Sequence, residues 1–546
     1  MTVITHKLTT AYFSAAKRST EVLAPQSELK RLASSQGMFC LTLILLYVAF
    51  SPGTIEGMGY YRENLFAVEQ LVTNAGNLLH GRALVPVNWS RHGGLELFLE
   101  LPFVLLGHFL PGDALKWAGR LLALQPILAT ALLCTLLRVW LLELSFSSKQ
   151  SLLLVLAAAF TTMYWPYAYM GLETSQSLSL LLVGFWAFRQ PRHQSWPAVL
   201  GFALCCACAV SLKTTGVFLL PAVAFAMFQY FRVLPQTSAA RLPKLLVTLA
   251  IVGIMYAGNA ALKEKYYAAA ADNSAHAFSA LLVNDPWLIF FQAFSFFGSV
   301  NKSLLLFAPL TAWALWRLPR AFAANRSLTI FALLALGGLV FGFSLVRVWT
   351  EETWGPRYLH SGIAPLLLCL AVSQRAQPAQ IRLANFWLPL AATSLLGLAI
   401  NLPGVLIPYV SLHQIATRSS HHTLTAIQYD PAWNHVRVNY KLFGLWLFAR
   451  EGQSVAPVPW PPPQSWWFEK PAPAPAETIV DLRGWAMPQP ILLQQWRPTQ
   501  SASPRLHQLT RGIFLGCLLL GLLLFFWQLK TVGKVRETVA QVADHV

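Results

Sequence analysis

The sequence predicts an all-α polytopic membrane protein of about twelve transmembrane helices, with surface helices in an extracytoplasmic first loop. Three observations carry this. Of 546 residues, 55% are apolar and only 11% are charged, where an ordinary soluble domain carries about a quarter charged residues. Apolar runs long enough to cross a bilayer recur from residue 38 to residue 529. The basic residues then sit mainly in the short loops between those runs, which is how cytoplasmic loops are marked in membrane proteins. The same composition excludes a disordered chain, a coiled coil and an ordinary cytosolic enzyme.

The net charge of +18 would suggest nucleic acid in a soluble protein. Lying in loops between apolar runs, it reads as anchoring instead, and no nucleic-acid partner is expected. The seven cysteines, Cys40, Cys134, Cys205, Cys206, Cys208, Cys369 and Cys517, lie nearly all within apolar runs. Their spacing suits neither zinc nor a disulfide framework, so they read as packing residues. The first apolar run starts only near Met38, behind Lys30 and Arg31, and reads as an uncleaved anchor.

Charge sets the topology step by step. Lys17, Arg18, Lys30 and Arg31 hold residues 1–37 in the cytoplasm, and the basic loops at 189–193, 232–244, 317–326 and 375–382 and the tail from Lys530 follow them there. Spans at roughly 38–53, 118–142, 150–166, 172–188, 196–212, 215–231, 245–262, 303–317, 327–346, 358–373, 384–402 and 511–529 satisfy that assignment. The stretch 95–110 is apolar but short and holds Glu96, Glu100 and His108. Counting it as a span would invert every later loop, so it is expected to lie on the outer surface, as is 287–300. The chain thus divides into a transmembrane bundle over 38–402, with its first loop at 54–117, an extracytoplasmic Pro- and Trp-rich segment over 403–510, and a last helix and tail over 511–546. The proline-rich patch "APVPWPPPQSWWFEKPAPAPA" cannot form a regular helix. Its tryptophans suit the membrane interface better than a sugar platform.

Ionisable residues at helix mouths are costly and therefore functional candidates. In "SPGTIEGMGYYRENLFAVEQ", Glu56 stands among Gly53, Gly57 and Gly59, where the backbone can turn tightly beside a bulky ligand. It reads as a general base or as a solvated loop acid. Arg91 and His92 in "WSRHGGLELFLELP" suit an anionic headgroup or interfacial snorkelling. Glu173 in "YAYMGLETSQ" could position a sugar hydroxyl or cap a helix N-terminus. Lys213 in "SLKTTG" is on the wrong side for a lysine, which points to a phosphate or to a nearby acid. Arg357 in "RVWTEETWGPRYLH" opens a helix with Tyr358 and could grip a phosphate, with Glu351 and Glu352 as competing ion-pair partners.

In their order, "GTIEGMGYY", "RHGGLELFLELPFVLLG", "YAYMGLETSQSLSLLL", "SLKTTGVFLLP", "FGSVNKSLLLFAPL" and "WGPRYLHSGIAPLLLCLA" resemble the GT-C superfamily of membrane glycosyltransferases that use polyprenyl-phosphate sugars. The likeness is greatest to bacterial members related to the protein mannosyltransferases, and it covers about residues 54–373. The resemblance implies a GT-C-like fold in a bacterial inner membrane, with its active site on the extracytoplasmic side. It implies a lipid-linked sugar donor among the membrane lipids and a glycan, lipid or protein acceptor. Carried over by position, the catalytic acid falls on Glu56 and the donor phosphate on Arg357 and Lys213, with Glu173 facing the same cavity; Tyr358, Arg91 and His92 are expected, from the residue readings above, to join them in binding substrate. Many relatives carry an Asp at the first-loop position, often within an Asp-Glu pair, where Glu56 stands alone, which leaves open a divalent metal and which first-loop acid is catalytic. The alternatives are a transporter or flippase of lipid-linked saccharides, which would not need Glu56, and a scaffold in which no single charge matters.

Overall fold

The computed structural model describes residues 26–52, 59–87, 94–144, 146–171, 173–189, 195–232, 238–269, 283–346, 354–375, 379–407, 434–448 and 504–543. These residues are helical throughout, joined by short turns, with no strand among them. In chain order, α1 is Gln26–Ala49, α2 Gly59–Leu79, α3 Gly94–His108, α4 Ala114–Leu122, α5 Leu124–Glu143, α6 Ser148–Thr161 and α7 Tyr164–Met170. Then come α8 Glu173–Phe188, α9 Trp196–Ser211, α10 Leu220–Arg232, α11 Ser238–Ala269, α12 Pro286–Gly298, α13 Leu304–Phe307 and α14 Pro309–Trp316. The last are α15 Leu318–Ala324, α16 Arg326–Ser344, α17 His360–Arg375, α18 Ala379–Leu406, α19 His435–Phe448 and α20 Pro504–Ala543.

A helix overlaps each expected span, and among the described residues six are long and apolar enough to cross a membrane: Ala114–Glu143, Thr215–Arg232, Arg241–Lys263, Arg326–Ser344, Phe386–Leu406 and Gln508–Lys530. Their outer faces are apolar, with Ile254, Phe341, Leu388, Leu395 and Phe526 exposed. A surface of that kind is solvated by lipid tails. The inner faces close on one core, built around Tyr47, Tyr164, Tyr167, Phe202 and Trp354.

The span 118–142 passes from α4 to α5 through Ala123, which stays near-helical (φ −60°, ψ −17°), but two others are broken outright. The run 150–166 ends as a helix at Thr161, because Thr162 turns extended and Thr161 and Thr162 fold their hydroxyls back onto the carbonyls of Ala157 and Ala158. The run 303–317 divides at Ala308 into α13 and α14, where Pro309 lacks the N–H a continuing helix needs. Both breaks sit against Asn401 of α18, whose amide donates to Thr161 O (3.3 Å) and Phe307 O (2.9 Å). A polar side chain from a neighbouring helix thus supplies what the broken backbone lost.

The first loop forms two helices, α2 and α3, which pack on α4 around Leu65, Val68, Leu97, Val104 and Leu122. Asp113 caps α4 by accepting from Leu115 and Lys116. Glu69 of α2 pairs with His108 at the end of α3 (2.9 Å).

The two ends of the bundle can be told apart. At one, the Gln125 amide at the start of α5 donates to Ser175 near the start of α8 (2.8 Å). At the other, Glu143 ends α5 beside Arg189 just past α8 (3.2 Å). Helices α5 and α8 therefore run parallel, and Glu173 lies at the Gln125 end.

Candidate functional site

Three charged residues from three separate connections meet at that end. Glu173 opens α8, Lys213 follows α9, and Arg357 begins the turn of 3-10 helix ahead of α17. The Lys213 ammonium donates to Glu173 Oε1, and Arg357 Nε lies 3.3 Å from the same oxygen. All are buried, at 4–5% exposure. Burial pushes the Lys213 ammonium below its ordinary range; the Glu173 carboxylate opposes that shift and Arg357 adds to it.

Each member is held by its local sequence. Arg357 follows Gly355, which takes φ +60° and lies so close to Phe307 that an added Cβ would come within 2.7 Å of the ring. A left-handed residue without a side chain is what this turn requires. The preceding Trp354 is locked twice: its carbonyl accepts from Tyr167 Oη (2.9 Å), and its indole N–H donates to Asn401 (3.1 Å). The Arg357 guanidinium lies over the Tyr358 ring, 4.9 Å from its centre, and Nη2 reaches the Tyr358 hydroxyl at 3.4 Å. Tyr358 in turn stacks on Phe343 of α16 at 4.1 Å.

The polar residues around the cluster form a second layer. Ser177, one turn after Glu173 on α8, meets Glu173 O (2.6 Å), His360 Nδ1 (2.7 Å) and Ser361 Oγ (2.9 Å). The His360 ring packs between Tyr164 and Tyr167. From the first loop, the start of α3 is tied in by Asn259 of α11, which accepts from the Leu95 N–H (3.0 Å) and donates to Ser211 O (2.6 Å), two residues before Lys213. Glu96 of α3 and Lys263 of α11 both lie within electrostatic reach of Lys213. Among the described residues the neighbourhood therefore holds two acids and three bases.

The structure thus brings together Glu173, Lys213, Arg357 and Tyr358 of the residues singled out in the sequence. For Lys213, the nearby acid is present, and it is Glu173. For Arg357 the acid is again Glu173, whereas Glu351 and Glu352, expected as competitors, lie outside the described residues. Also outside them are Glu56, Arg91, His92 and the proline- and tryptophan-rich patch. Sequence reasoning missed Ser177, Asn259, His360 and Asn401. His360 carried a usable signal, an ionisable side chain opening an apolar run. Ser177 and the two asparagines carried none, since their roles depend on distant backbone groups. No group of three or more His, Cys, Asp or Glu placed to hold a metal occurs among the described residues.

No family model matches the chain, and no curated protein matches it. Among solved structures it is similar to ArnT from Cupriavidus metallidurans bound to undecaprenyl phosphate, at 13% identity over 78% of this chain and 70% of that one, with a TM-score of 0.39. A likeness at that identity and TM-score establishes neither a shared family nor a shared fold.

Proposed function

We propose that the chain is an integral-membrane glycosyltransferase that moves a sugar from a polyprenyl-phosphate donor to an acceptor hydroxyl, with Glu56 as general base. One observation carries the reading most: Glu173, Lys213 and Arg357 are gathered, buried, at one end of an apolar bundle. Burying such charges gives up solvation that a well-packed apolar cluster would not lose, so they suggest a ligand rather than stability. An ammonium has three donors. Glu173 takes one from Lys213, and the Glu96 carboxylate lies within electrostatic reach of the same ammonium. With bases outnumbering acids nearby, an anionic headgroup with an apolar tail is the ligand chemistry that fits.

In the proposed reaction Glu56 takes the proton of the acceptor hydroxyl as its oxygen bonds to the anomeric carbon. The bond from that carbon to the phosphate oxygen breaks with inversion, and its electron pair leaves on the lipid phosphate. Lys213 and Arg357 offset the charge that builds there, and a group so placed typically contributes about 10²–10³ in rate. Glu173 holds both cations in position. The proposal includes twelve crossings, both termini in the cytoplasm, and the site on the extracytoplasmic face of a bacterial inner membrane. The acceptor is a glycan, lipid or protein.

The test is mass spectrometry of lipid-linked sugars in a deletion strain rescued with wild type or Glu56→Gln. A polyprenyl monophosphate sugar should accumulate and be relieved by wild type alone. An unchanged lipid pool, or full rescue by Glu56→Gln, would overturn the catalytic reading in favour of transport or scaffolding.

A further inference from the structure

We propose that Arg138 holds the phosphate of a lipid headgroup at the end of the bundle opposite Glu173. Arg138 lies on α5 and is only 2% exposed. Its guanidinium sits over the buried ring of Phe39 on α1, 4.6 Å from the centre. Neither Nε nor Nη1 has a hydrogen-bond acceptor among the described residues. Gln36, three residues before Phe39 and so on the same face of α1, also keeps its amide oxygen buried without a partner among the described residues.

An arginine buried this way is costly: its charge is out of water, and a ring face offsets only a part of that. Replacing such a residue with an apolar one should stabilise a protein that binds nothing there. Its burial makes sense if an anion completes it, and a phosphate matches the planar fork of donors.

Position selects the source of that phosphate. Arg138 is five residues before Glu143, about 7.5 Å along the axis. The pair of Glu143 and Arg189, at 34% and 60% exposure, marks the rim at that end. The guanidinium therefore lies just inside the rim, at the depth where headgroups meet acyl chains. Gln125, at the level of the Glu173 cluster, is thirteen residues away, about 20 Å along α5. The two sites are separate, and this one does not depend on the transferase reading.

The experiment uses delipidated full-length protein in a maltoside detergent, which carries no phosphate, with melting temperature and lipid retention in native mass spectrometry as readouts. Phosphatidylglycerol should raise the melting temperature of wild type, and a diacylglycerol with the same tails should not. In Arg138→Met the phosphatidylglycerol shift should vanish, while the lipid-free melting temperature stays equal or rises, so loss of folding cannot imitate the result. Phe39→Leu should need about tenfold more lipid for half the shift. If millimolar inorganic phosphate gives the same shift in wild type and not in Arg138→Met, a phosphate site stands and the lipid source falls. An equal phosphatidylglycerol response in wild type and Arg138→Met, or none in wild type, overturns the proposal.

Discussion

The indole N–H of Trp354 donates to the side-chain oxygen of Asn401 at 3.1 Å, with both residues wholly buried. The same asparagine donates to the carbonyls of Thr161, Phe307 and Gly397. One side chain therefore ties together the end of α6, the break between α13 and α14, and the segment that leads into Arg357. Helices that break inside a membrane must have their freed groups satisfied by protein. The break that shapes the Arg357 turn is possible because α18 supplies Asn401.

Asn401→Leu should accordingly be costly. It leaves the Trp354 N–H and the carbonyls at two helix breaks without partners in an apolar core, a loss of about 2–4 kcal/mol. Thermal unfolding of the purified protein in detergent measures it. Tyr440→Phe is the control, because the bond from that hydroxyl to Ala399 O is exposed, and it should change stability by less than about 0.5 kcal/mol. Equal melting temperatures for the two variants would mean that water or another side chain replaces the amide.

The ion cluster predicts an order of severity. Glu173→Gln leaves Lys213 and Arg357 facing each other across a neutral amide in a buried site, and should cost about 3–5 kcal/mol. Lys213→Met should cost less, since Arg357 Nε still faces the carboxylate at 3.3 Å. The double variant should be more stable than Glu173→Gln alone, with the coupling read from a double-mutant cycle of unfolding measurements. Additive effects would show that the two side chains do not share the interaction in solution.

The apolar runs were long enough to read helices at every expected span, because hydropathy over a window reports burial in lipid or core. The breaks at Thr162 and Ala308 were only partly readable that way. Hydropathy falls after Phe160 in "AAAFTTMYWPY", and Pro309 in "LLLFAPLTAW" marks a possible stop, but the asparagine that satisfies both breaks lies far along the chain. The charges tell the same story. Lys213 and Arg357 stood out by breaking the positive-inside pattern, yet Glu173 as the acid shared by both is 184 residues from Arg357 in sequence. Nearby acids were the natural candidates by spacing, and only the packing of α8 against α17 brings the distant one into contact.

The turn before Arg357 gives the last prediction. Gly355→Ala forces a side chain into φ +60° and places its Cβ 2.7 Å from the Phe307 ring. The backbone strain alone costs about 1–3 kcal/mol, and the clash adds to it. Because the Arg357 N–H donates to Gly355 O at 3.1 Å, relief of the clash should shift the start of the Arg357 turn and with it the guanidinium beside Glu173. Melting temperature should therefore fall, and, on the proposed transferase reading, the KM for a polyprenyl-phosphate sugar should rise more than kcat drops. Adding Phe307→Leu removes the ring but leaves the backbone strain. If the turn positions Arg357, the double variant regains donor affinity while recovering only part of the stability. If stability and donor affinity return together in proportion, the glycine serves packing alone and the arginine is held by other contacts.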